Sequence, residues 1–541
     1  MKVTDKRLLT LALLAAVAAA AVATAGCGDR SPIWSEAASV DATYGLNGGV
    51  AILDAPADRV VLLLPGADQS LRIEHVPVGH HILNVQLSPQ RNKLLVLSAG
   101  HRATIGDDEP DEKPSLTVIE CGDGVSAQRY ELTTLTDPLG GIAIDPVEER
   151  WVVIYPDPAR SQAFVENPNE LAFLDLTQPP ETATVVAHTL HSFGGRPQRL
   201  TFTQTLALPG GARRLLIVES DQDISILDLA DPNNEISVPL TSGTDSRRLS
   251  PAAVTVDDGD PARDDDARIG VRLKNDSSVV TLTLEPEPGT TGFRPTVNLT
   301  DVGGVPMDIA FVRTDGGLRL AALVPTRSAA VLIDPVTSLT TEVALPARYQ
   351  SLSLVTDVAG GGAGAPVDVA LLWNGGGAMD GVAFWELGQT AGRPYRSIET
   401  VGVVAAIAAV LPVPQHPNLR VLQTASASEF YVLDLQTRTA APLVTSTSSL
   451  AFSMSPAGDQ VWTFTPGGQM VVATGVADTH PRSLLIERSV RQVFEVQNEA
   501  GRFAVIVHPG GGGGVTVYDA DTLDDDTRRL YSSVLTGGPY Q

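Results

Sequence analysis

Gly49-Val50-Ala51-Ile52-Leu53-Asp54-Ala55-Pro56, leading to Arg59-Val60-Val61-Leu62, returns later in the chain as Gly141-Ile142-Ala143-Ile144-Asp145-Pro146, leading to Arg150-Trp151-Val152-Val153. Each stretch is an apolar run, a turn carrying Asp and Pro, and a second apolar run introduced by Arg. Runs of Val, Ile and Leu bounded by turn residues read as strand, turn, strand. The start of the second run recurs at Val60, Leu94, Trp151, Leu215, Ile269, Leu320, Val369, Val421, Val461 and Phe503, at spacings from 34 to 64 residues. A third run follows and ends in an apolar residue and Asp: Leu174-Asp175, Leu227-Asp228, Ile333-Asp334, Leu433-Asp434 and Tyr518-Asp519. A fourth comes next, as from Ile236 to Leu240 or Glu342 to Leu345.

Four short strands per roughly 50 residues make the unit of a β-propeller blade. A blade cannot bury both faces alone, so the units must stack around an axis. The expected fold is all-β, a propeller of four-stranded antiparallel blades with eight to ten units, in one ring or two adjoining rings. The short first spacing of 34 predicts a first unit that lacks a strand.

The turn Phe452-Ser453-Met454-Ser455-Pro456-Ala457-Gly458-Asp459 and the third-strand ending Ser225-Ile226-Leu227-Asp228-Leu229 resemble the repeats of bacterial lactonase-like propellers. The resemblance runs loosely over residues 49–537 and implies the architecture alone. No Trp-Asp pair occurs, so the paired Gly-His and Trp-Asp signature of WD40 repeats is absent.

The first 48 residues follow a different logic. Lys2, Lys6 and Arg7 precede an almost unbroken Leu/Ala stretch from Leu8 to Ala23, then Thr24-Ala25-Gly26-Cys27. A basic start, an apolar segment and small residues before a cut are the parts of a secretion signal. Small residues before Cys resemble a bacterial lipobox, with Thr24 where Leu is usual. The expectation is a lipoprotein signal over 1–26, lipidation at Cys27, a tether over 27–48 and the propeller over 49–541. Such a chain is exported and held in the bacterial envelope by its lipid, with the outer membrane favoured because Gly28, not Asp, follows the Cys.

Lys and Arg total 38 against 63 Asp and Glu, a formal charge of −25. Cleavage would remove three cations and only Asp5, leaving the surface more acidic still. A surface of that sign repels nucleic acid and anionic headgroups, which excludes nucleic acid as a partner and leaves the lipid as the membrane contact. With Cys27 acylated, Cys121 has no partner, and its place after Leu116-Thr117-Val118-Ile119 predicts a buried, unreactive thiol.

No Gly-x-Ser-x-Gly, His-Glu-x-x-His, Gly-Lys phosphate loop or Cys-x-x-Cys occurs. No catalytic residue and no cofactor is therefore assigned. The sharpest cation candidate is the acidic stretch Asp257, Asp258, Asp260, Asp264, Asp265 and Asp266, since hard cations take several carboxylate oxygens. Its spacing is not that of an EF-hand, and a solvated acidic loop is the expected state. Of the His residues, only His80 with His81, and His188 with His191, lie close in sequence. The recurring Arg and Asp suggest structural pairs at one rim of the ring: Arg214 with Asp228, Arg319 with Asp334, Arg420 with Asp434, and Arg502 with Asp519.

Two functions remain open. One is a lipid-anchored binding or scaffolding module with an envelope protein or glycan as partner. The other is a propeller enzyme, a lactonase or other hydrolase, with its site at the central channel. Propellers host both. Polar side chains converging at the channel mouth would favour the enzyme, and a bare channel the scaffold.

Overall fold

The computed structural model describes residues 38–536 apart from short stretches, the longest being 103–110, 158–166, 241–248, 359–366 and 444–450. Ten four-stranded antiparallel sheets follow one another along the chain: residues 42–77, 82–131, 141–189, 199–239, 251–301, 308–344, 351–401, 407–443, 451–485 and 492–532. They are blades 1 to 10. In nine, the strands pair in chain order; in blade 4 a small hairpin, Leu206–Leu208 with Gly211–Arg213, is inserted between the first and second strands. Even there the four long strands keep the same order.

The blades stack because their central strands are apolar on both faces. In blade 4 the second strand, Leu215–Glu219, is buried at all five positions. Successive side chains point to opposite faces of a strand. Leu215 and Ile217 accordingly pack towards blade 5, whereas Leu216 and Val218 pack towards blade 3. Each such fully buried aliphatic contributes about 1.5–3 kcal/mol. The same arrangement gives ten apolar clusters, each shared by two neighbouring blades, including one between blades 10 and 1. The ten blades therefore form one closed ring. Trp385 and Trp462 are fully buried in these clusters, as their apolar surroundings in the sequence imply.

The first unit is complete. Its strands are Ala42–Gly45, Val50–Asp54, Arg59–Pro65 and Leu71–Pro77. Val60 lies on the third strand and not the second, which is why the first spacing is short. The opening strand starts inside the stretch read as tether, and Val40 is already buried against blade 10.

First strands of successive blades touch one another, as between blades 5 and 6, 6 and 7, and 10 and 1. They are thus the inner strands that line the channel. Antiparallel order sorts the loops onto two faces. Turns joining first to second and third to fourth strands emerge on one, here called the turn face. Turns joining second to third strands, and the links between blades, emerge on the other, the mouth face. The strand ends that flank the long 257–266 and 359–365 stretches, Asp257 with Arg268 and Val358 with Val367, lie at the turn face. The tight turn Ser455 to Gly458 lies there too. Gly458 has φ +73°, and a Cβ at that position would overlap the Pro414 carbonyl oxygen of blade 8. Only Gly fits both demands.

Candidate functional site

The recurring third-strand Asp has a local job. Asp334 Oδ1 accepts the backbone N–H of Val336 and Thr337, Asp434 Oδ1 those of Gln436 and Thr437, and Asp519 Oδ1 those of Asp521 and Thr522. Asp175 and Asp228 accept the N–H two residues on. These are Asx turns that start the link to the fourth strand.

The Arg partners are more varied than the repeat suggests. Arg319 lies 3.1 Å from Asp334, where the register sets the two opposite each other. In blade 4 Asp228 faces Leu215, so Arg214 sits one residue beyond it. Arg213 takes Asp228 at 3.5 Å, and Arg214 makes a two-pronged bond to the buried Asp145 of blade 3. Arg502 is likewise offset, since Asp519 faces Phe503. It binds Asp459 of blade 9 at 2.8 Å, Glu495 at 2.6 Å and Asp521 at 3.1 Å. Arg420 faces Leu433 and donates to the Pro417 and Leu419 carbonyls, at 2.8 and 2.7 Å, instead of to Asp434. A one-residue slip in pairing turns a side chain to the other face of the sheet. That is enough to convert a pair within a blade into a clasp between blades.

Asp260, Asp264 and Asp265 lie outside the described residues, as does Cys27. Of the other acidic-loop members, Asp257 is 2.9 Å from Arg313 and Asp266 is 3.9 Å from Arg263. Asp257 and Asp266 line a cavity of about 200 Å³ on the turn face, together with Arg268, Arg313, Arg319 and Asp334. Its carboxylates are matched by arginines. Among the described residues no group of three or more His, Cys, Asp or Glu is arranged to hold a metal ion. Cys121 is buried, and burial pushes its thiol up to about 11.

His80 and His81 do turn together. His81 has φ +55°, the bend that alternation on a straight strand forbids, and both rings lie 6.2 Å from that of His101. His80 contacts Glu112, which also binds Arg129. The second pair meets at the buried Glu235, with the His188 ring buried and the His191 ring exposed. Glu235 accepts from His188 at 2.8 Å, from the His191 N–H at 2.9 Å and from Ser225 Oγ at 2.6 Å. Burial raises the Glu235 carboxyl, and the His188 and Ser225 bonds outweigh it and hold it below its usual value. Ser, His and Glu meet here, but Ser225 is bonded to the carboxylate and not to the imidazole. That is not the serine–imidazole bond of a Ser-His-Asp triad; the cluster joins blades 3 and 4.

The arrangement with unspent bonding capacity is on the mouth face. A cavity of about 520 Å³ opens where the first strands of blades 4 and 5 begin. Arg199 starts the inner strand of blade 4, and Glu219 ends its second strand. Arg272 comes from the second strand of blade 5 and Lys274 from the turn after it, where Asn275 takes φ +56°. The Arg199 and Arg272 guanidiniums both donate to the Ala252 carbonyl oxygen, at 3.0 and 3.4 Å. Two like charges are thus gathered on one neutral acceptor. Glu219 is 2% exposed and its Oε1 lies 4.0 Å from Arg199, too far for a hydrogen bond. Among the described residues neither Glu219 Oε1 nor Arg272 Nε has a hydrogen-bond partner. Burial pushes the Glu219 carboxyl above the usual range, against the pull of Arg199 and Arg272. Behind Arg272, Asp308 is also raised by burial, although it accepts from the Leu352 and Ile309 amides.

Sequence reading passed over these residues because each comes from a different loop or strand end. The available signal was a charge closing or interrupting an apolar run, as in Leu215-Leu216-Ile217-Val218-Glu219 and Gly270-Val271-Arg272-Leu273.

No family model matches the chain, and no curated protein matches it in sequence. Solved structures similar to it include the dihydro-heme d1 dehydrogenase NirN in complex with DHE, with TM-score 0.41 and 12% identity over 83% of this chain and 75% of that one. Apo AztD from Citrobacter koseri has TM-score 0.32 and 11% identity over 71% and 94%. A functionally unknown protein from Desulfotomaculum acetoxidans DSM 771 has 0.33 and 10% over 62% and 93%. Likenesses at that level carry no argument about ligand or chemistry, and the ring rests on the strand pairing described above.

Proposed function

We propose that the chain is a lipid-anchored binding module of the bacterial envelope whose ligand site is the mouth cavity of blades 4 and 5. The observation that carries this reading is the unpartnered buried donor Arg272 Nε among the cations Arg199, Arg272 and Lys274, beside a cavity of about 520 Å³. Buried polar groups are normally satisfied, and an unmet donor in a cleft of small-ligand size is what an acceptor ligand supplies. The anchor reading rests on the sequence of residues 1–27. It has a geometric consequence: Val40 and Asp41 enter blade 1 on the mouth face, where Asp41 bonds the Ala55 amide. The ten residues 28–37 span at most about 35 Å. An acylated Cys27 would therefore turn the face with the cavity towards the membrane, and the rest of that face stays open to an envelope protein or glycan.

The enzyme is the second reading, favoured by one observation. Charged side chains do converge at the channel mouth, and Glu219 is a buried acid with a raised pKa in a cleft, which suits a general base. Among the described residues, however, no His or Cys lines the cavity.

The test is a thermal-shift screen of carboxylates, phosphates, amines, lactones and esters on the full mature chain and on Arg272→Gln. Stabilisation of the wild type that is lost in the variant is the expected result. Stabilisation that survives Arg272→Gln would move the site elsewhere, and no stabilisation by any class would favour a docking scaffold. Turnover of a lactone or ester that Glu219→Gln abolishes would establish the enzyme.

A further inference from the structure

We infer that the mouth cavity takes a small monocarboxylate with an apolar body; this deepens the reading above and rests on it. Charge sets the first half of the statement. Arg199, Arg272 and Lys274 line the cavity against two carboxylates, Glu219 and Asp221, so one positive charge is left over in a chain whose total is −25. A single negative charge neutralises the site. A dianion such as phosphate or a dicarboxylate overshoots and meets Glu219 and Asp221 with its second charge. An ammonium ligand meets three cations. A carboxylate also fits the planar fork of a guanidinium, and Arg272 Nε is the donor left without a partner.

The apolar half comes from the link between blades 5 and 6. Val305 and Met307, in the link from blade 5 to blade 6, border the same cavity, and Met307 is 46% exposed. Met is a flexible, polarizable side chain that moulds itself to varied apolar shapes. Among the described lining residues there is no aromatic side chain to stack a sugar ring. A head held by Arg272 and Arg199 with a tail against Met307 uses both walls. Glu219, 4.0 Å from Arg199, contributes its charge to the balance without a hydrogen bond to the guanidinium.

The experiment is isothermal titration of the full mature chain with hexanoate, hexan-1-ol, succinate and inorganic phosphate at constant ionic strength. Hexanoate is expected to bind once per chain, about tenfold or more tighter than hexanol, the value of one charge-assisted hydrogen bond. Arg272→Gln should lose at least that factor. Lys274→Gln, on an exposed turn, should lose a few-fold with an unchanged melting profile. Met307→Ser should weaken hexanoate, whereas acetate, titrated beside the four as a control without a tail, should bind both chains alike. Equal binding of hexanol and hexanoate, or a preference for succinate or phosphate, would overturn the ligand class. If the preferred anion is nevertheless lost in Arg272→Gln, the mouth remains the binding site. No saturable heat with any of the four probes would overturn the ligand class, and silence in the wider screen as well would remove the binding site with it.

Discussion

Glu219 shows what one residue can disclose about purpose. It ends a strand whose other four positions are aliphatic, and it is as buried as they are. Burial raises its carboxyl, so the folded chain takes up a proton there more readily than the unfolded chain does. Its charge therefore costs stability at neutral pH, and that cost disappears as the pH falls through the raised value. Glu219→Gln should be more stable than the wild type at pH 7, by about 1 kcal/mol, with the advantage gone near pH 4. Urea unfolding at the two pH values checks it. A gain that persists at pH 4 would mean that packing, not charge, was responsible. Cys27 makes the other residue-scale prediction. Cells fed a radiolabelled fatty acid should label the wild type and not Cys27→Ala, and equal labelling of both would end the lipoprotein reading.

At the scale of the element, the repeated Asp and the repeated Arg do different work. The Asp is needed by the turn, because its side chain mimics the backbone and caps two N–H groups of the link to the fourth strand. The Arg is free to choose, and a single-residue difference in register sends it to its own blade, as Arg319, to the previous one, as Arg214, or to both, as Arg502. Asp434 separates the two roles, since its Oδ1 accepts from Gln436 and Thr437 while Arg420 bonds carbonyls. Asp434→Ala should cost about 1 kcal/mol, as the loss of a backbone cap does, whereas Asp434→Asn keeps the acceptor and should be nearly neutral. Urea midpoints of the two variants decide. If Asn costs as much as Ala, the charge matters and a pairing role is restored.

The whole molecule is a ring closed without exchange of strands. Blade 1 and blade 10 are each built from one continuous segment. Their seam is held by a shared apolar cluster and by long-range hydrogen bonds: Arg59 to the Leu535 carbonyl, Arg491 to that of Asp41, Asn498 to that of Pro65 and Tyr531 to that of Gln69. Arg59 also lies 2.7 Å from the fully buried Asp54. Arg59→Ala leaves that carboxylate without its cation and should cost about 3 kcal/mol. Hydrogen exchange should then quicken first in blades 1 and 10, because a ring opens at its weakest interface. Uniform acceleration around the ring would show that the seam is no weaker than any other junction.

Short apolar runs and Asp/Pro turns at a recurring spacing were enough to determine the class of fold, the four-stranded unit and the strands that are buried, because those are local properties of strands. Leu215 to Val218 had to be interior in any stacking of such units. The count of ten in one ring was beyond the sequence, since closure depends on how blade 1 meets blade 10. Register was beyond it as well: whether Arg214 faces Asp228 or reaches Asp145 turns on one residue of pairing, and the composition of the strands is the same either way. The candidate site was the least legible part. Arg199, Glu219, Arg272, Lys274 and Met307 belong to strand ends and links of three blades, and only the tertiary structure decided that they share one cavity. The stretches that stand out in the sequence, the acidic 257–266 and the glycine-rich 359–365, connect strand ends at the opposite face, because the parity of strand connections assigns a connection to a face whatever its composition.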